Sequence, residues 1–265
     1  MENLLVLVDF TDTANVAIDQ AIALAKKDNA RITICHIVGT HKDEHTDILK
    51  TELDPFVQRV KDAGVSVELA MDFGDLHTSA QDLVSKLKPD LVVVGTHGRE
   101  GVKQELFGSN IYKLVRDIPG PTLVVNDNTK VSNGGFKKVM LPVAPHSDFL
   151  VKVEQTCHVV AKDGVVVIYA IIKPGVPLDD EILSNIEKTK KLLDDRGVKW
   201  QYMEDESDRF SVGYSGQTLD SMVKEEMDLI TIMANVSSRN LHFGKMDKEN
   251  VLLNEQGLPV LCANY

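Results

Sequence analysis

Apolar positions along the chain alternate between two kinds of spacing. Short unbroken runs such as "LVVVG" (91–95) and "GVVVIYA" (164–170) read as strands buried on both faces, because a strand with one wet face would alternate polar and apolar residues. Between such runs the apolar residues fall at helical spacing. Ala14, Ala17, Ile18, Ala21, Ile22 and Ala25 form one stripe, and Phe149, Val153, Cys157 and Val160 form another. Buried strands alternating with amphipathic helices predict an α/β fold with a parallel, doubly wound sheet.

The same pattern occurs twice. "PDLVVVGTHG" places Asp90 31 residues before Pro121 of "PTLVV", and "MDLITIMANV" places Asp228 the same 31 residues before Pro259 of "PVLCA". The openings of the halves agree as well: "LLVLVDFTDTANVAIDQ" and "KVMLPVAPHSDFLVKVEQ" each give an apolar strand, a polar turn and an amphipathic helix. The order strand, helix repeated to a fifth strand predicts two tandem domains, 1–128 and 136–265, each a Rossmann-like five-stranded sheet. The polar, glycine-bearing "NDNTKVSNGGFKK" (126–138) lies at their boundary. The final strands "PTLVVND" and "PVLCANY" would be open sheet edges, and pairing them across the two domains would hide both.

Charge narrows the partners. A formal net charge of -11, with no block of more than two consecutive lysines or arginines, disfavours nucleic acid and anionic membrane surfaces. No apolar stretch approaches the roughly 20 residues that span a bilayer. "MENLLVLVDF" resembles neither a secretory nor a transit segment, and Cys35, Cys157 and Cys262 are odd in number and widely spaced. These features predict a cytoplasmic protein.

Where strand "LVVV" gives way to helix "NIYKLVRDI", the chain carries Gly95, Gly98 and Gly108, the last followed by Ser109 and Asn110. In a doubly wound sheet that turn sits beyond the carboxyl ends of the strands, where ligands bind. Turns at Gly95 and Gly98 would let main-chain N–H groups reach phosphate oxygens without a Cβ in the way, and Ser109 is a natural helix N-cap. Tight-turn geometry alone would also account for the first two glycines. The spacing G-x2-G-x9-G-S is distinct from a Walker loop, which needs a lysine before its Ser or Thr, and from the dinucleotide fingerprint, which needs G-x-G after the first strand.

The pattern resembles the nucleotide signature of the universal stress protein family, and the resemblance extends over nearly the whole chain as a tandem pair. It implies an adenine-nucleotide alpha-hydrolase-like fold binding ATP or a related adenine nucleotide, with Mg²⁺ as an optional companion. Asp9 in "LVDFTD" would lie near adenine and ribose, and the backbone of Ile37 in "CHIV" would meet the adenine edge. Val94 and Gly95 would lie near the sugar, and Gly98, Gly108, Ser109 and Asn110 at the phosphates. Family members commonly dimerise through the last strand; a tandem chain can form that pair internally, with a further homodimer left open.

The second half departs from the signature. Gly95 corresponds to Met233, Gly98 to Val236, Gly108 to Met246, Ser109 to Asp247, and Asp9 to about Ala144. Asp247 would set a carboxylate beside the phosphates while Val236 and both methionines crowd the backbone, so one competent site per chain is expected and the second domain becomes a structural partner.

Other residues offer less. His97 reads as a solvated turn residue or a phosphate contact, and Arg99 and Lys103 as triphosphate ligands or a wet helix face. His41 and His45 have helical i, i+4 spacing, but no third metal ligand is fixed; a polar linker is the simpler reading. "MEDESD" (203–208) reads as an acidic loop, and Trp200 as packing. The absence of a Walker lysine, a Mg²⁺-binding aspartate pair or an evident base favours a binding module over an enzyme, with a slow ATP hydrolase or a nucleotide-free scaffold as the alternatives.

Overall fold

A computed structural model describes residues 1–39, 46–96, 111–146, 148–207, 213–235 and 245–265. The first half runs β1 (Asn3–Leu7), α1 (Asp12–Asp28), β2 (Arg31–Val38), α2 (Thr46–Asp62), β3 (Val67–Phe73), α3 (Leu76–Leu87), β4 (Leu91–Gly95), α4 (Ile111–Asp117) and β5 (Thr122–Val125). The second runs β6 (Phe136–Pro142), α5 (Phe149–Val159), β7 (Val160–Ile172), α6 (Asp180–Asp195), β8 (Lys199–Glu206), α7 (Ser215–Lys224), β9 (Leu229–Met233), α8 (Lys245–Leu252) and β10 (Val260–Ala263). The helix read through Val160 ends one residue earlier, where β7 begins.

All ten strands form one sheet in the order β3-β2-β1-β4-β5-β10-β9-β6-β7-β8. Within each half the order is third, second, first, fourth, fifth, so the direction of winding reverses between β1 and β4 and again between β6 and β9. Every pairing is parallel except β5 with β10, which is antiparallel with Val260 opposite Val124 and Leu261 opposite Leu123. The two five-stranded sheets expected from the sequence are therefore fused edge to edge. Each buries the four-residue strand that would otherwise offer unpaired N–H and C=O groups to another chain.

Strand alternation sorts the apolar side chains into two cores. Leu4, Val6, Val93, Val139 and Leu229 face one side, covered by Ile18 and Leu24 of α1 and by Phe149 and Val153 of α5. Leu5, Leu7, Val94, Met140 and Ile230 face the other, against Leu83 of α3, Val115 of α4 and Met222 of α7. Both cores run through both halves, giving three layers. The outer strands β3 and β8 carry exposed polar residues, as edge strands do. Residues Met203–Glu206 of the acidic stretch accordingly lie in β8, not in a loop: Asp205 accepts from the Tyr169 hydroxyl at 2.8 Å and from Ser221, which ties the edge strand to β7 and α7. Trp200 also lies in β8, donating to Asp194 at 2.9 Å beneath Lys190.

Two local devices recur at equivalent places. Asp90 accepts from the N–H groups of Glu2 and Asn3 at the start of β1, and Asp228 from those of Lys137 and Lys138 in β6. The aspartate that precedes each fourth strand thus pins the amino end of its neighbour, which sets the register Leu4 opposite Leu91 and Val139 opposite Leu229. At the central seam, Asn126 donates to the Asn254 carbonyl of the other half at 2.8 Å, and Asn264 donates back to the carbonyls of Arg116 and Ile118 at 3.0 and 2.6 Å.

Candidate functional site

The turn from β1 into α1 lies at the carboxyl end of the sheet beside the reversal of winding. Val8 donates to the Cys35 carbonyl at 2.9 Å, and its own carbonyl meets Nδ1 of the buried His36 at 2.8 Å. The next two residues leave the sheet. Phe10 takes a left-handed φ of 59°, uncommon for an aromatic residue, and its ring lies 4.3 Å from that of His36. Asp9 is half-buried; its Oδ1 accepts from the N–H and hydroxyl of Thr11, at 3.3 and 2.6 Å. That Asx-type turn fixes the carboxylate and leaves Oδ2 without a hydrogen bond among the described residues, able to accept from a ligand.

Ile37 is buried near the end of β2, opposite Asp72, and Val94 is buried at the end of β4, opposite Val124 and Leu7. Asp9, Ile37, Val94 and Gly95 are thus gathered on the carboxyl ends of three adjacent strands, β2, β1 and β4. Gly95 corrects the sequence reading: it is the last residue of β4, paired with Val125, and does not turn. Its lack of a side chain serves packing instead, since a Cβ there would lie 2.8 Å from Cγ2 and 2.9 Å from the carbonyl oxygen of Thr13 in the first turn of α1. Gly98, Gly108, Ser109 and Asn110, with His97, Arg99 and Lys103, lie outside the described residues, as do His41 and His45.

The equivalent crevice of the second half is built differently. Asp247, expected beside the phosphates, is buried, and its Oδ1 accepts from the N–H groups of Tyr214 and Ser215 at 3.0 Å each, capping α7. Gly213, at φ +91°, makes room: a Cβ there would lie 2.7 Å from the Asp247 carboxylate. Met246 does not crowd the backbone but is 66% exposed, whereas Met233 is buried; Val236 lies outside the described residues. Asp247→Ala should leave two helix-start donors unpaired and cost about 1–2 kcal/mol, read as a lower urea midpoint at unchanged slope. An unchanged midpoint would remove the cap from the account.

Two lysines occupy the space around Ala144 and Met233. Lys152 of α5 is 3% exposed, donates to the Pro142 carbonyl and lies 4.5 Å over the Phe149 ring. Lys248 of α8 is 1% exposed and donates to the Asn235 carbonyl at 2.7 Å. Burial drives Lys152 well below the ordinary lysine range, with the Lys248 charge acting in the same direction. Burial also brings Lys248 down to about 8. His146 falls to about 4 through burial and then the Lys152 charge, and its Nε2 has no hydrogen-bond partner among the described residues. These three residues were missed in the sequence, although Lys152 stands on the same helical face as Phe149, Val153 and Thr156, an anomaly visible as a charge on an apolar stripe.

A larger cleft of about 510 Å³, lined by Glu2, Asn3, Lys26, Arg31 and Ser66 among others, opens at the amino ends of the strands, away from these residues. Among the described residues no group of three His, Cys, Asp or Glu side chains is placed to hold a metal ion, and no helix is long and apolar enough to cross a membrane.

Residues 1–126 match the family model described as the universal stress protein family. A Staphylococcus aureus protein named for that family is 27% identical over 140 residues, covering 47% of this chain and 83% of its own. The crystal structure of a universal stress protein from Archaeoglobus fulgidus superposes over 99% of this chain and 96% of its own, with a TM-score of 0.72 at 15% identity, a likeness of fold. A universal stress protein solved in complex with cAMP matches 47% of this chain and 96% of its own, at 25% identity and a TM-score of 0.40.

Proposed function

We propose that this chain, a member of the universal stress protein family through its residues 1–126, holds ATP or a related adenine nucleotide in its N-terminal half. One observation carries the reading. Asp9, Ile37 and Gly95 converge on the strand ends where the winding reverses, and the spacing Gly95, Gly98, Gly108, Ser109 continues from that point along the chain. The half-buried Asp9 carboxylate, already oriented by Thr11, accepts from the adenosine side. The glycines bring main-chain N–H groups to the phosphates, and Ser109 and Asn110 add donors at the start of α4. Backbone donors suit a chain whose net charge is -11 and whose sequence holds no block of more than two consecutive lysines or arginines.

In this reading 1–128 and 136–265 are duplicated domains joined as an internal pseudo-dimer through β5 and β10, and the second supports the first without binding nucleotide itself. The three cysteines are free; Cys35 and Cys262 are buried, and burial raises both thiols, with Cys35 reaching about 12, which suits a reducing cytoplasm. Titration of the purified chain with ATP tests the site: Gly98→Val should weaken binding at least about tenfold by placing a branched side chain where phosphate approaches. Equal affinity in both proteins removes the loop from the site. Protein that carries no nucleotide on denaturation and ignores added ATP supports a nucleotide-free scaffold instead.

A further inference from the structure

The C-terminal crevice has a charge problem that the fold alone leaves unsolved. Lys152 and Lys248 converge on a pocket also lined by Pro142, His146, Thr231 and Met233, beside the second reversal of winding. Each ammonium has three N–H groups, and each spends one on a carbonyl, Pro142 for Lys152 and Asn235 for Lys248. Neither forms an ion pair among the described residues. His146 is 8% exposed and adds a buried Nε2 with no hydrogen-bond partner among the described residues. Asp148, the acidic residue whose charge acts on His146, is engaged by the Tyr265 hydroxyl. Among the described residues, donors therefore surround the pocket without an anionic acceptor, which leaves the charged form of each lysine uncompensated.

We propose that this pocket binds a single monatomic anion of chloride size, held between the Lys152 and Lys248 ammonium groups and the Nε2–H of His146. The pocket is small, with about 10 Å³ of room for the centre of one small particle. Any nucleotide is too large. A water molecule fits but, being neutral, leaves both lysines below their ordinary range, whereas an anion favours their ammonium forms. The N–H groups that open α7 are already taken by Asp247, so the side chains are the donors that remain. The two halves thus divide their ligands by construction: main-chain donors serve the first crevice, and lysines fill and charge the second.

Thermal unfolding of the full chain in sodium chloride and in sodium gluconate at equal ionic strength tests this, because gluconate is too large to enter. Chloride should raise Tm saturably, by about 5 °C at a hundredfold excess over its dissociation constant, and bromide should substitute. Crystals grown in sodium bromide should show an anomalous peak between Lys152 and Lys248. Lys248→Met should abolish the chloride response while leaving ATP affinity unchanged. Identical Tm in both salts with no bromide peak overturns the proposal, as does a chloride response of full size in Lys248→Met. Should that variant fail to fold, the wild-type salt series and the bromide peak decide by themselves. Loss of ATP binding would not bear on this pocket, so the two readings fail separately.

Discussion

Gly95→Val is expected to lower stability by about 3 kcal/mol and to shift the urea midpoint down, because two backbone elements meet where the new side chain must go. The added Cβ would stand 2.8 Å from Thr13 Cγ2, 2.9 Å from the Thr13 carbonyl oxygen and 3.1 Å from its carbonyl carbon. A flexible side chain could swing away, but a main-chain carbonyl cannot. Thr13 is also fixed: it is 1% exposed, and its hydroxyl donates to Asp127. Relief requires α1 to lift from β4, which opens the core formed by Ile18, Ala21 and Val93. Gly39→Ala is the control, since no described residue lies within 4 Å of a Cβ there; it should change stability by no more than about 0.5 kcal/mol. Because α1 begins just after the Asp9 turn, Gly95→Val should also weaken nucleotide binding under conditions where the protein is still folded. Wild-type stability in Gly95→Val would mean that α1 does not pack this closely.

Those contacts also show where the sequence stops being informative. Apolar runs bounded by polar turns identified the strands, and the paired spacings from Asp90 and Asp228 exposed the twofold organisation, because both are local properties of the chain. The role of Gly95 was not local. A glycine at a strand end reads as a turn, and only the tertiary approach of Thr13, 82 positions away, explains why no Cβ is tolerated. Asp247 misled for the same reason: its partners, Tyr214 and Ser215, belong to a preceding helix, so a carboxylate at a signature position looked like a repulsive group when it is a cap. The acidic stretch of β8 looked like a loop because an edge strand has two partly wet faces and loses the apolar run that marked the inner strands. Of the proposed site, Asp9, Ile37 and Val94 were named through the family resemblance and not from any local pattern, and the parallel pairing of β2, β1 and β4 sends the ends that carry them to one side.

The seam between the halves supplies the second large effect. Asn264 is 3% exposed and follows β10, yet its side chain serves the other half of the molecule. Its Nδ2 donates to the carbonyls of Ile118 at 2.6 Å and Arg116 at 3.0 Å, which belong to the last turn and exit of α4, where helix carbonyls lack partners of their own. Its Oδ1 accepts from the N–H of Tyr265 at 3.0 Å and from the Asn235 side chain, and Gln155 bonds its main chain from α5. Asn264→Ala leaves several of these buried groups without partners and should cost about 3 kcal/mol. Asn126, 138 positions earlier, makes the reciprocal contact to Asn254; Asn126→Ala should cost about 2 kcal/mol. Asn128→Ala, which removes only an exposed 3.3 Å bond to Glu255 across the same seam, should cost less than about 0.5 kcal/mol. Since both hydrophobic cores run through the two halves, the wild-type chain should unfold in one calorimetric transition. The double Asn126→Ala, Asn264→Ala variant loosens the β5–β10 pairing, which is only a few residues long, and should broaden or split that transition. A double variant that melts as sharply as the wild type, at an unchanged temperature, would show that strand pairing and the shared cores hold the halves together without the exchanged asparagines.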